Sequence, residues 1–409
     1  MDDPLEMARP GPLDVAAVRA QFPALADPVA YFDGPGGSQV PTVVGRAVAD
    51  TLTAGISNRG VITVAERRAD DVVTGARQAI ADLCGGSAGG VVFGRSMTQL
   101  TYDFARTLAR GWTTGDEVVV TRLDHDGNIR PWIAAAERAG AAVRWADFDR
   151  DSAELPVSAI TELLSERTRL VAITAASNLL GTRPDIAAVA AAAHEVGALA
   201  YVDAVHLAPH SPIDLGGLGA DVLVCSPYKF FGPHLGALVA APALLETLRP
   251  DKLLPSSDTV PERFELGTLP YELLAGVNAA VDFIARLAPG DGERRSRVLA
   301  SMAAVEEHEG QLFARLVQGL ARVDGVTLYG RAERRTPTAL FAVRGRSPRQ
   351  VHEALAARKI NAPGGSFYAV EAARWLGLGD AGAVRAGLAP YSNDDDVDRL
   401  LDAVTALGA

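Results

Sequence analysis

The chain has 409 residues, a formal net charge of -11 at pH 7 and an isoelectric point near 5.2. This acidic balance, without any run of Lys and Arg, excludes a general attraction to nucleic acid or to anionic lipid. Because a single hydrophobic core stops growing at roughly 250 to 300 residues, we expect one large and one small domain.

The N-terminus and the longest apolar tract bear on location. Residues 1–12 are acidic and contain proline, and they lack the basic start and apolar stretch of a secretory signal. The apolar tract over residues 186–205 is interrupted by polar residues and by Gly197, which is typical of a helix, a turn and a strand rather than a membrane span. We therefore expect a cytoplasmic protein that has no membrane partner.

Between about residues 90 and 245, short β-rich runs alternate with alanine-rich helical stretches. This alternation predicts βαβ units and a mostly parallel sheet. The expected strands cover residues 91–94, 117–122, 143–147, 170–175, 199–202, 222–225 and 237–240. The expected helices cover residues 97–109, 129–139, 157–164 and 186–196.

From residue 289 onward the pattern changes. A long helix is expected over residues 294–323, followed by strands over 326–329 and 338–343 and by helices over 348–359 and 393–406. This order is typical of a compact α+β domain. We therefore expect an N-terminal arm over residues 1–30, a large domain over 31–288 and a small C-terminal domain over 289–409.

Two polar residues lie at the ends of neighbouring predicted strands. Asp203 follows the strand 199–202, and Lys229 comes soon after the strand 222–225. Ligands of open α/β sheets bind beyond the carboxyl ends of the strands, so both side chains are expected to face one crevice. A lysine amine condenses with an aldehyde, and an aspartate keeps a pyridine nitrogen protonated. A surface lysine and an aspartate that caps a turn remain the alternative for any single pair of this kind.

A helix start and a histidine are expected at the same edge of the sheet. Ser96, Met97 and Thr98 open a helix, where free N–H groups and a hydroxyl can hold a phosphate. Simple capping of the helix is the more common role of such a sequence. His125 follows the strand 117–122 and is placed to lie flat on an aromatic ring. The three features together favour a ligand site over an isolated Asp and Lys pair.

Short motifs, in this order along the chain, resemble those of the class V aminotransferases and of their cysteine-desulfurase-like branch. They are Ser96-Met97-Thr98, Asp124-His125-x-x-Asn128, Ser177-Asn178-x-x-Gly181, Val202-Asp203-Ala204, Ser226-x-x-Lys229-x-x-Gly232-Pro233, Arg263-Phe264-Glu265-x-Gly267-Thr268 and Val384-Arg385-x-Gly387-Leu388. The likeness runs from about Tyr31 to the C-terminus. It implies an α/β protein of the fold-type I class that depends on pyridoxal 5'-phosphate, in which a large, mostly parallel sheet is flanked by helices beside a smaller α+β domain.

The resemblance implies a role for each cofactor residue. His125, Asp203 and Lys229 are the expected catalytic residues: the histidine stacks on the pyridine ring, the aspartate pairs with the ring nitrogen, and the lysine carries the cofactor as a Schiff base. The remaining expected cofactor-binding residues are Ser96, Met97, Thr98 and Ser226 around the phosphate, Asn178 and His206 near the ring hydroxyl, and Thr268.

The resemblance also implies a substrate and a partner. Asn178 and Arg385 would bind an amino-acid substrate, and the guanidinium group of Arg385 suits its α-carboxylate because the two form paired hydrogen bonds. Thr268 resembles the residue that reaches the phosphate held by the second subunit. We therefore expect a homodimer with shared active sites.

Two departures from the family pattern stand out. His206 occupies the position at which the familiar desulfurases have Gln beside the ring hydroxyl. The segment over residues 361–368, where persulfide-forming desulfurases carry their nucleophilic thiol, contains no cysteine. The only cysteines of the chain are Cys84 and Cys225, and their spacing indicates neither a disulfide framework nor a metal site.

The reaction type follows less directly from these residues. Removal of the Cα proton by the freed amine of Lys229 is the common step, after which elimination, transamination or epimerisation can occur. We expect a carbon-sulfur lyase that works without an enzyme persulfide. The alternatives are an aminotransferase, an epimerase, an enzyme that forms a carbon-carbon bond after decarboxylation, and a catalytically silent protein that only binds the cofactor.

Overall fold

The computed structural model describes residues 12–408 of the chain. Its strands are β1 (Ala30–Tyr31), β2 (Val91–Gly94), β3 (Glu117–Thr121), β4 (Ala142–Ala146), β5 (Thr168–Thr174), β6 (Leu199–Asp203), β7 (Val222–Cys225), β8 (Gly236–Ala240), β9 (Val326–Tyr329), β10 (Thr338–Val343), β11 (Ile360–Asn361), β12 (Gly364–Gly365) and β13 (Ala383–Gly387). Its α-helices are α1 (Val15–Arg19), α2 (Thr42–Thr53), α3 (Val64–Cys84), α4 (Met97–Leu108), α5 (Arg130–Ala139), α6 (Ser158–Thr161), α7 (Ile186–Glu195), α8 (Leu215–Leu218), α9 (Pro242–Thr247), α10 (Tyr271–Ile284), α11 (Arg294–Leu320), α12 (Pro348–Ala356), α13 (Val370–Trp375) and α14 (Asp394–Gly408).

The central sheet has the strand order β2-β8-β7-β6-β5-β3-β4. Neighbouring strands run parallel from β7 to β4, whereas β8 runs antiparallel to both β2 and β7. The carboxyl ends of β3, β5, β6 and β7 therefore lie at one edge of the sheet. This arrangement confirms the predicted α/β class with a mostly parallel sheet.

Side chains on the two faces of the sheet pack into separate apolar clusters. On one face, Val118 and Val120 of β3 pack in a cluster with Phe104 of α4 and Trp132 of α5. The intervening Val119 lies in the opposite cluster, which also contains residues of α3, α7 and α10. Successive side chains of a strand point to opposite faces, and a strand buried on both faces is therefore apolar throughout.

Local sequence explains where several helices begin and end. Thr63 and Glu66 form a reciprocal capping box at the start of α3, and Gly85 ends that helix with a φ of 72°. Asp185 accepts a hydrogen bond from the backbone N–H of Ala188 and so caps α7. These signals are contained in a few consecutive residues, which is why the sequence predicts the helix starts well.

The C-terminal part of the chain forms an antiparallel sheet in the order β12-β13-β10-β9. Helices α11, α12 and α14 pack on this sheet through an apolar cluster that includes Leu316, Phe341, Val351, Val384 and Leu400. A sheet covered by helices in this way matches the expected α+β pattern. The boundary between residues 288 and 289 stays a prediction.

Residues that precede β1 contact the C-terminal part of the chain. Phe22 packs edge to face against Tyr391 and Phe231, and Arg19 forms an ion pair with Asp396 at 2.8 Å. Strand β1 then pairs in parallel with β11. Of the expected N-terminal arm, residues 1–11 lie outside the described residues.

Two segments differ from the sequence prediction. The helix expected over residues 157–164 is limited to α6, because the N–H of Ser165 donates to Thr168 Oγ1 at 2.9 Å and a turn leads into β5. The segment over residues 361–368 includes part of β11 and all of β12, where Gly364 and Gly365 pair with β13. Glycine has no side chain whose pattern could have indicated that pairing.

Within residues 12–408, no helix is long and apolar enough to cross a membrane, and the tract over 186–205 contains α7 and β6.

Candidate active site

A cavity of about 440 Å³, part of which is open solvent, lies at the carboxyl edge of the central sheet. It is lined by Ser96, Met97, Thr98, His125, Thr174, Ala176, Asn178, Asp203, Val205, His206, Ser226, Tyr228 and Lys229. We call this cavity the inner chamber. Every residue that the sequence predicts for the cofactor lines it, with the exception of Thr268.

A second, wider cavity of about 1110 Å³, part of which is open solvent, adjoins the inner chamber. We call it the outer chamber. It shares Thr98, His125, Asn178, Tyr228 and Lys229 with the inner chamber, and it adds Pro35, Gly36, Tyr102, Asp126, Gly127, Arg130, Phe367, Tyr368 and Arg385. Lys229 therefore lines both chambers, as a lysine must if it meets both a cofactor and an incoming substrate.

Lys229 ends a single 3-10 turn that follows β7, and its side chain is buried. Burial, and after it the charge of Arg385, lower the pKa of the Lys229 amine, Asp203 opposes both effects, and the resulting pKa is about 8. An amine with this pKa is partly neutral near physiological pH. The neutral form is the one that attacks an aldehyde or accepts a proton.

Asp203 is the last residue of β6 and is buried beside Lys229. Burial raises the pKa of its carboxyl, the backbone N–H of Val205, which donates to Oδ1 at 2.9 Å, and the charge of Lys229 oppose this effect, and the resulting pKa is about 6. The carboxylate is therefore mostly ionised at pH 7. A buried carboxylate in this state suits a protonated ring nitrogen, because it supplies the charge that the nitrogen needs.

His125 is held in one orientation by its own backbone turn. Its Nδ1 accepts a hydrogen bond from the N–H of Gly127 at 2.9 Å. Burial lowers the pKa of His125 to about 3, with further contributions from Lys229 and Arg385, so the ring is neutral and carries its proton on Nε2. A Cβ at Gly127 would lie 3.0 Å from both His125 Nδ1 and Thr98 Oγ1, which is why glycine suits that position.

Asp124 and Asn128 form a buried network behind His125 that sequence reasoning did not select. Asn128 donates to Asp124 at 2.7 Å and accepts from the indole N–H of Trp132 at 3.1 Å, and the hydroxyl of Thr121 also donates to Asp124. Burial raises the pKa of the Asp124 carboxyl to about 8. The network supports the turn that bears His125, and the Asp-His-x-x-Asn spacing was the signal that could have revealed it.

The start of α4 forms one wall of the inner chamber. Ser96 Oγ accepts from the N–H of Gln99 at 3.1 Å and thus caps the helix, as the simpler interpretation of the sequence expected. The first N–H groups of a helix lack partners within the helix and favour an anion. Strand β8 approaches this turn so closely that a Cβ at Gly236 would lie 2.2 Å from the carbonyl carbon of Ser96. Ser226 lines the same chamber from the end of β7.

Two buried polar atoms of the inner chamber lack hydrogen-bond partners among residues 12–408. They are Nδ1 of His206 and Oδ1 of Asn178. The other ring nitrogen of His206 lies 3.0 Å from Thr338 Oγ1, and the amide nitrogen of Asn178 donates to the carbonyl of Phe367 at 2.8 Å. A buried polar atom without a partner is costly, so both atoms fit a chamber that receives a polar ligand.

Arg385 projects from β13 and is buried at the outer chamber. Its Nη1 donates to the backbone carbonyl of Asn178 at 2.8 Å, and its guanidinium carbon lies 3.8 Å from the centre of the Phe367 ring. Burial lowers the pKa of Arg385, opposed by the charge of Asp33, and a guanidinium group keeps its proton in proteins. This cation, with a partly buried Asp33 as its nearest acidic neighbour, can bind a substrate carboxylate.

The segment over residues 361–368 forms a wall of the outer chamber. Phe367 and Tyr368 have φ values of 54° and 57°, a left-handed conformation that is strained for aromatic residues. The carbonyl of Tyr368 accepts from the N–H of Asp126 at 2.7 Å, and Asn178 holds the carbonyl of Phe367. The segment is thus fastened to the turn of His125 and presents aromatic side chains where a thiol would stand in a persulfide-forming enzyme.

Cys84 and Cys225 contact each other in the interior, although they are far apart in sequence. Both are buried, and contact with Cys84, together with burial, raises the pKa of the Cys225 thiol well above its ordinary value. In the described part of the chain, neither side chain lines the inner or the outer chamber. Neither thiol is therefore placed to act on a ligand in the two chambers.

Thr268 lies on an exposed turn and lines neither chamber within the described chain. Its neighbour Leu266 is also exposed, at 55% of its surface. The position expected to serve a second subunit is therefore the one predicted cofactor residue that the single chain does not bring to the site.

Tyr228, which separates the two chambers and stacks on His234, was missed by sequence reasoning even though it directly precedes Lys229.

Comparison with known proteins agrees with this geometry. The family model described as aminotransferase class-V matches residues 30–400. An uncharacterized protein of Mycobacterium tuberculosis is 36% identical over 97% of this chain and 99% of its own length, and a probable cysteine desulfurase of Mycobacterium leprae is 32% identical over 96% of each chain. The solved cysteine desulfurase CsdA of Escherichia coli has a TM-score of 0.86 at 25% identity, over 97% of this chain and 99% of that one.

The parallel sheet and the buried lysine at its carboxyl edge define a fold-type I enzyme that depends on pyridoxal phosphate. The extent of the match identifies the family more closely. The chain belongs to the class V aminotransferase family, in its cysteine-desulfurase-like branch.

Proposed function

We propose that the protein cleaves a carbon-sulfur bond of an amino acid and releases the sulfur without forming a persulfide on the enzyme. The relatives named as cysteine desulfurases support the substrate class. The observation that carries the proposal is the wall of the outer chamber, where residues 361–368 contain no cysteine and both cysteines of the chain are buried elsewhere.

The residues of the inner chamber would hold the cofactor in the expected way. Asp203 would pair with the ring nitrogen, His125 would stack on the ring, and Lys229 would carry the cofactor, while Thr98 and Ser226 would bind the phosphate together with the start of α4. When bound, the cofactor accepts the electron pair that remains at Cα after a proton is removed. Lys229, whose pKa is lowered to about 8, is the base that takes this proton.

Arg385 would orient the substrate by its α-carboxylate. A guanidinium group binds a carboxylate through two parallel hydrogen bonds, which fixes the direction of the Cα–H bond toward the lysine. The Phe367 ring on the guanidinium group shields this contact from water. The amino-acid side chain then extends into the outer chamber, where Tyr102, Tyr228 and Tyr368 surround it.

The test is a screen of amino acids with the purified, cofactor-loaded protein. Cysteine and water would yield pyruvate, ammonia and hydrogen sulfide in equal amounts, without added thiol and without a persulfide on the protein. A keto acid that retains the substrate skeleton would instead indicate an aminotransferase, and inversion at Cα would indicate an epimerase. Carbon dioxide release with a larger product would indicate decarboxylative carbon-carbon bond formation.

The same experiment tests the proposal that the protein is a silent cofactor carrier. An enzyme changes its visible absorption band when its substrate displaces Lys229, whereas a carrier does not. A band that stays constant with every amino acid and amino-acid derivative, together with no product, would contradict catalysis. The combination of Lys229, Asp203, His125 and Arg385 around the two adjoining chambers supports an enzyme, because mere binding of the cofactor does not need a residue that binds a substrate carboxylate.

A homodimer with shared active sites is the second part of the proposal. Exposed apolar side chains lie on neighbouring segments, among them Ile62 and Leu254, which are exposed over 82% and 97% of their surface. An ion pair between Arg59 and Glu262 at 3.0 Å joins the segment of Ile62 to the one that leads to Thr268. An exposed apolar surface of this kind is typical of an interface.

A cytoplasmic location stays a prediction from the sequence.

A further inference from the structure

A chain of three buried polar side chains extends from the inner chamber into the C-terminal part of the protein. His206 lines the chamber, His210 lies behind it, and Glu309 of α11 lies behind His210. The two imidazole rings are nearly perpendicular, at 74°, with centres 5.1 Å apart. His210 Nδ1 lies 2.9 Å from Glu309 Oε2, and no more than 3% of any of the three residues is exposed.

A contribution to the stability of the folded protein does not explain why these three polar side chains are buried together. Burying a carboxylate and two imidazoles costs hydration free energy, and apolar residues of similar volume often serve a core as well or better. The oxygen Oε1 of Glu309 and Nε2 of His210 even lack hydrogen-bond partners among the described residues. A positioning role toward the chamber is therefore the simpler explanation of why polar groups occupy this place.

The surroundings of His206 determine its protonation state. Burial lowers the pKa of His206 well below its ordinary value, and the nearby His210, Lys229 and Arg385 lower it further, so the ring is neutral. A neutral imidazole has one donor and one acceptor nitrogen. If the hydroxyl of Thr338 donates to Nε2 at 3.0 Å, then Nδ1 carries the proton. That atom is the one without a partner at the chamber.

We infer that His210, Glu309 and Thr338 are positioning residues that hold His206 with Nδ1–H directed at the ring oxygen of the bound cofactor. His210, fixed by Glu309, packs against the His206 ring and prevents it from turning. With the Thr338 hydroxyl donating to Nε2, the proton of the neutral ring lies on Nδ1. A donor at this position stabilises the deprotonated ring oxygen. The inference depends on the cofactor and not on the reaction that follows, so it can fail while the proposed function holds, and the reverse is also true.

The test uses the cofactor-loaded protein without substrate and reads its absorption spectrum at fixed pH. Loss of a donor favours protonation of the ring oxygen, so His206→Phe should move intensity from the visible band to the shorter-wavelength band. Glu309→Gln and His210→Phe should each change the ratio of the two bands at least twofold in the same direction. Thr338→Val should change the ratio of the two bands in the same direction. Thr338→Ser, which keeps a hydroxyl at this position, should have the ratio of the natural protein.

A double variant separates positioning from a general structural effect. Groups that act only through His206 add nothing once it is removed, so His206→Phe with Glu309→Gln should have the spectrum of His206→Phe alone. Ser211→Ala is the matched control, because Ser211 is a buried neighbour of His210 whose hydroxyl donates instead to Glu306 at 2.8 Å. Unchanged spectra in Glu309→Gln and Thr338→Val, or additive changes in the double variant, would overturn the inference. Should Glu309→Gln fail to fold, the Val and Ser variants of Thr338 decide the question.

Discussion

The amine of Lys229 is influenced by burial, by Arg385 and by Asp203, and burial has the largest effect. Its pKa of about 8 has a direct consequence for the binding of pyridoxal phosphate. Since only the neutral amine attacks an aldehyde, we expect the rate of cofactor uptake by the cofactor-free protein to rise with pH, with a midpoint near 8. The measurement is the growth of visible absorbance after mixing at a series of pH values.

Matched variants sharpen this experiment, because the chain contains only three lysines, Lys229, Lys252 and Lys359. Lys252→Ala and Lys359→Ala should show the natural profile, and borohydride should trap no adduct in Lys229→Ala. A midpoint close to the ordinary lysine value of about 10.4 would contradict the effect of burial. A reducible adduct that persists in Lys229→Ala would contradict the role of that lysine.

Arg385 offers a second prediction on the scale of one side chain. In Arg385→Ala we expect the apparent affinity for the amino acid found in the screen to fall about 30-fold or more, because truncation of one partner of a buried charge pair costs about 2 kcal/mol or more. Cofactor retention should stay nearly unchanged. Arg374→Ala is the control, since Arg374 is exposed and pairs with Asp380. Equal substrate affinity in both variants would show that another residue binds the carboxylate.

At the scale of elements, the ends of α3 and β7 bring Cys84 and Cys225 together beneath the sheet. A thiol with a raised pKa is a poor nucleophile, and a sulfur acceptor needs an accessible thiolate. We therefore expect the double variant Cys84→Ala, Cys225→Ala to keep most of its turnover. Steady-state assays of the folded, cofactor-loaded protein check this outcome.

The contrary outcome would be equally informative. Abolished turnover in a double variant that still shows the visible band of bound cofactor, or a persulfide found by mass on either cysteine, would restore a desulfurase with a displaced nucleophile. The matched control is Ser366→Ala, because Ser366 lies in the segment where the family's thiol is expected. Its hydroxyl cannot hold a persulfide, so we expect no loss of turnover there.

The strands of the central sheet, together with β9 and β10, were largely predictable, and the segment over residues 361–368 was not. Runs of apolar residues bounded by turn residues indicate strands buried on both faces, and β2 and β7 have the predicted limits. In contrast, β11 and β12 have two residues each, and their pairing with β1 and β13 depends on partners far along the chain. A pattern within a few residues carries no information on such partners.

For the whole molecule, the exposed position of Thr268 leads to a prediction about assembly. We expect a dimer by sedimentation, and in Thr268→Ala the cofactor should dissociate about 3- to 10-fold more readily, which corresponds to the loss of one hydrogen bond. Thr259→Ala is the control, because the Thr259 hydroxyl interacts within its own segment with Ser257. A fully active monomer at low concentration would rule out shared active sites.

The sequence by itself determined the α/β class, the family resemblance and which side chains gather at the carboxyl edge of the sheet. It could do so because capping, strand burial and the residues that follow a strand are local properties, and parallel strands bring their ends to one edge. Lys229, Asp203 and His125 were found in this way and Asn178 through the family resemblance, and all four line the inner chamber.

Only the tertiary structure decided which distant groups act on those residues. Arg385 lowers the pKa of Lys229, His206 lies against Thr338 and against the pair of His210 with Glu309, and Cys225 contacts Cys84. Burial and charge interactions depend on distance through space, which chain packing sets and which spacing in the sequence does not contain.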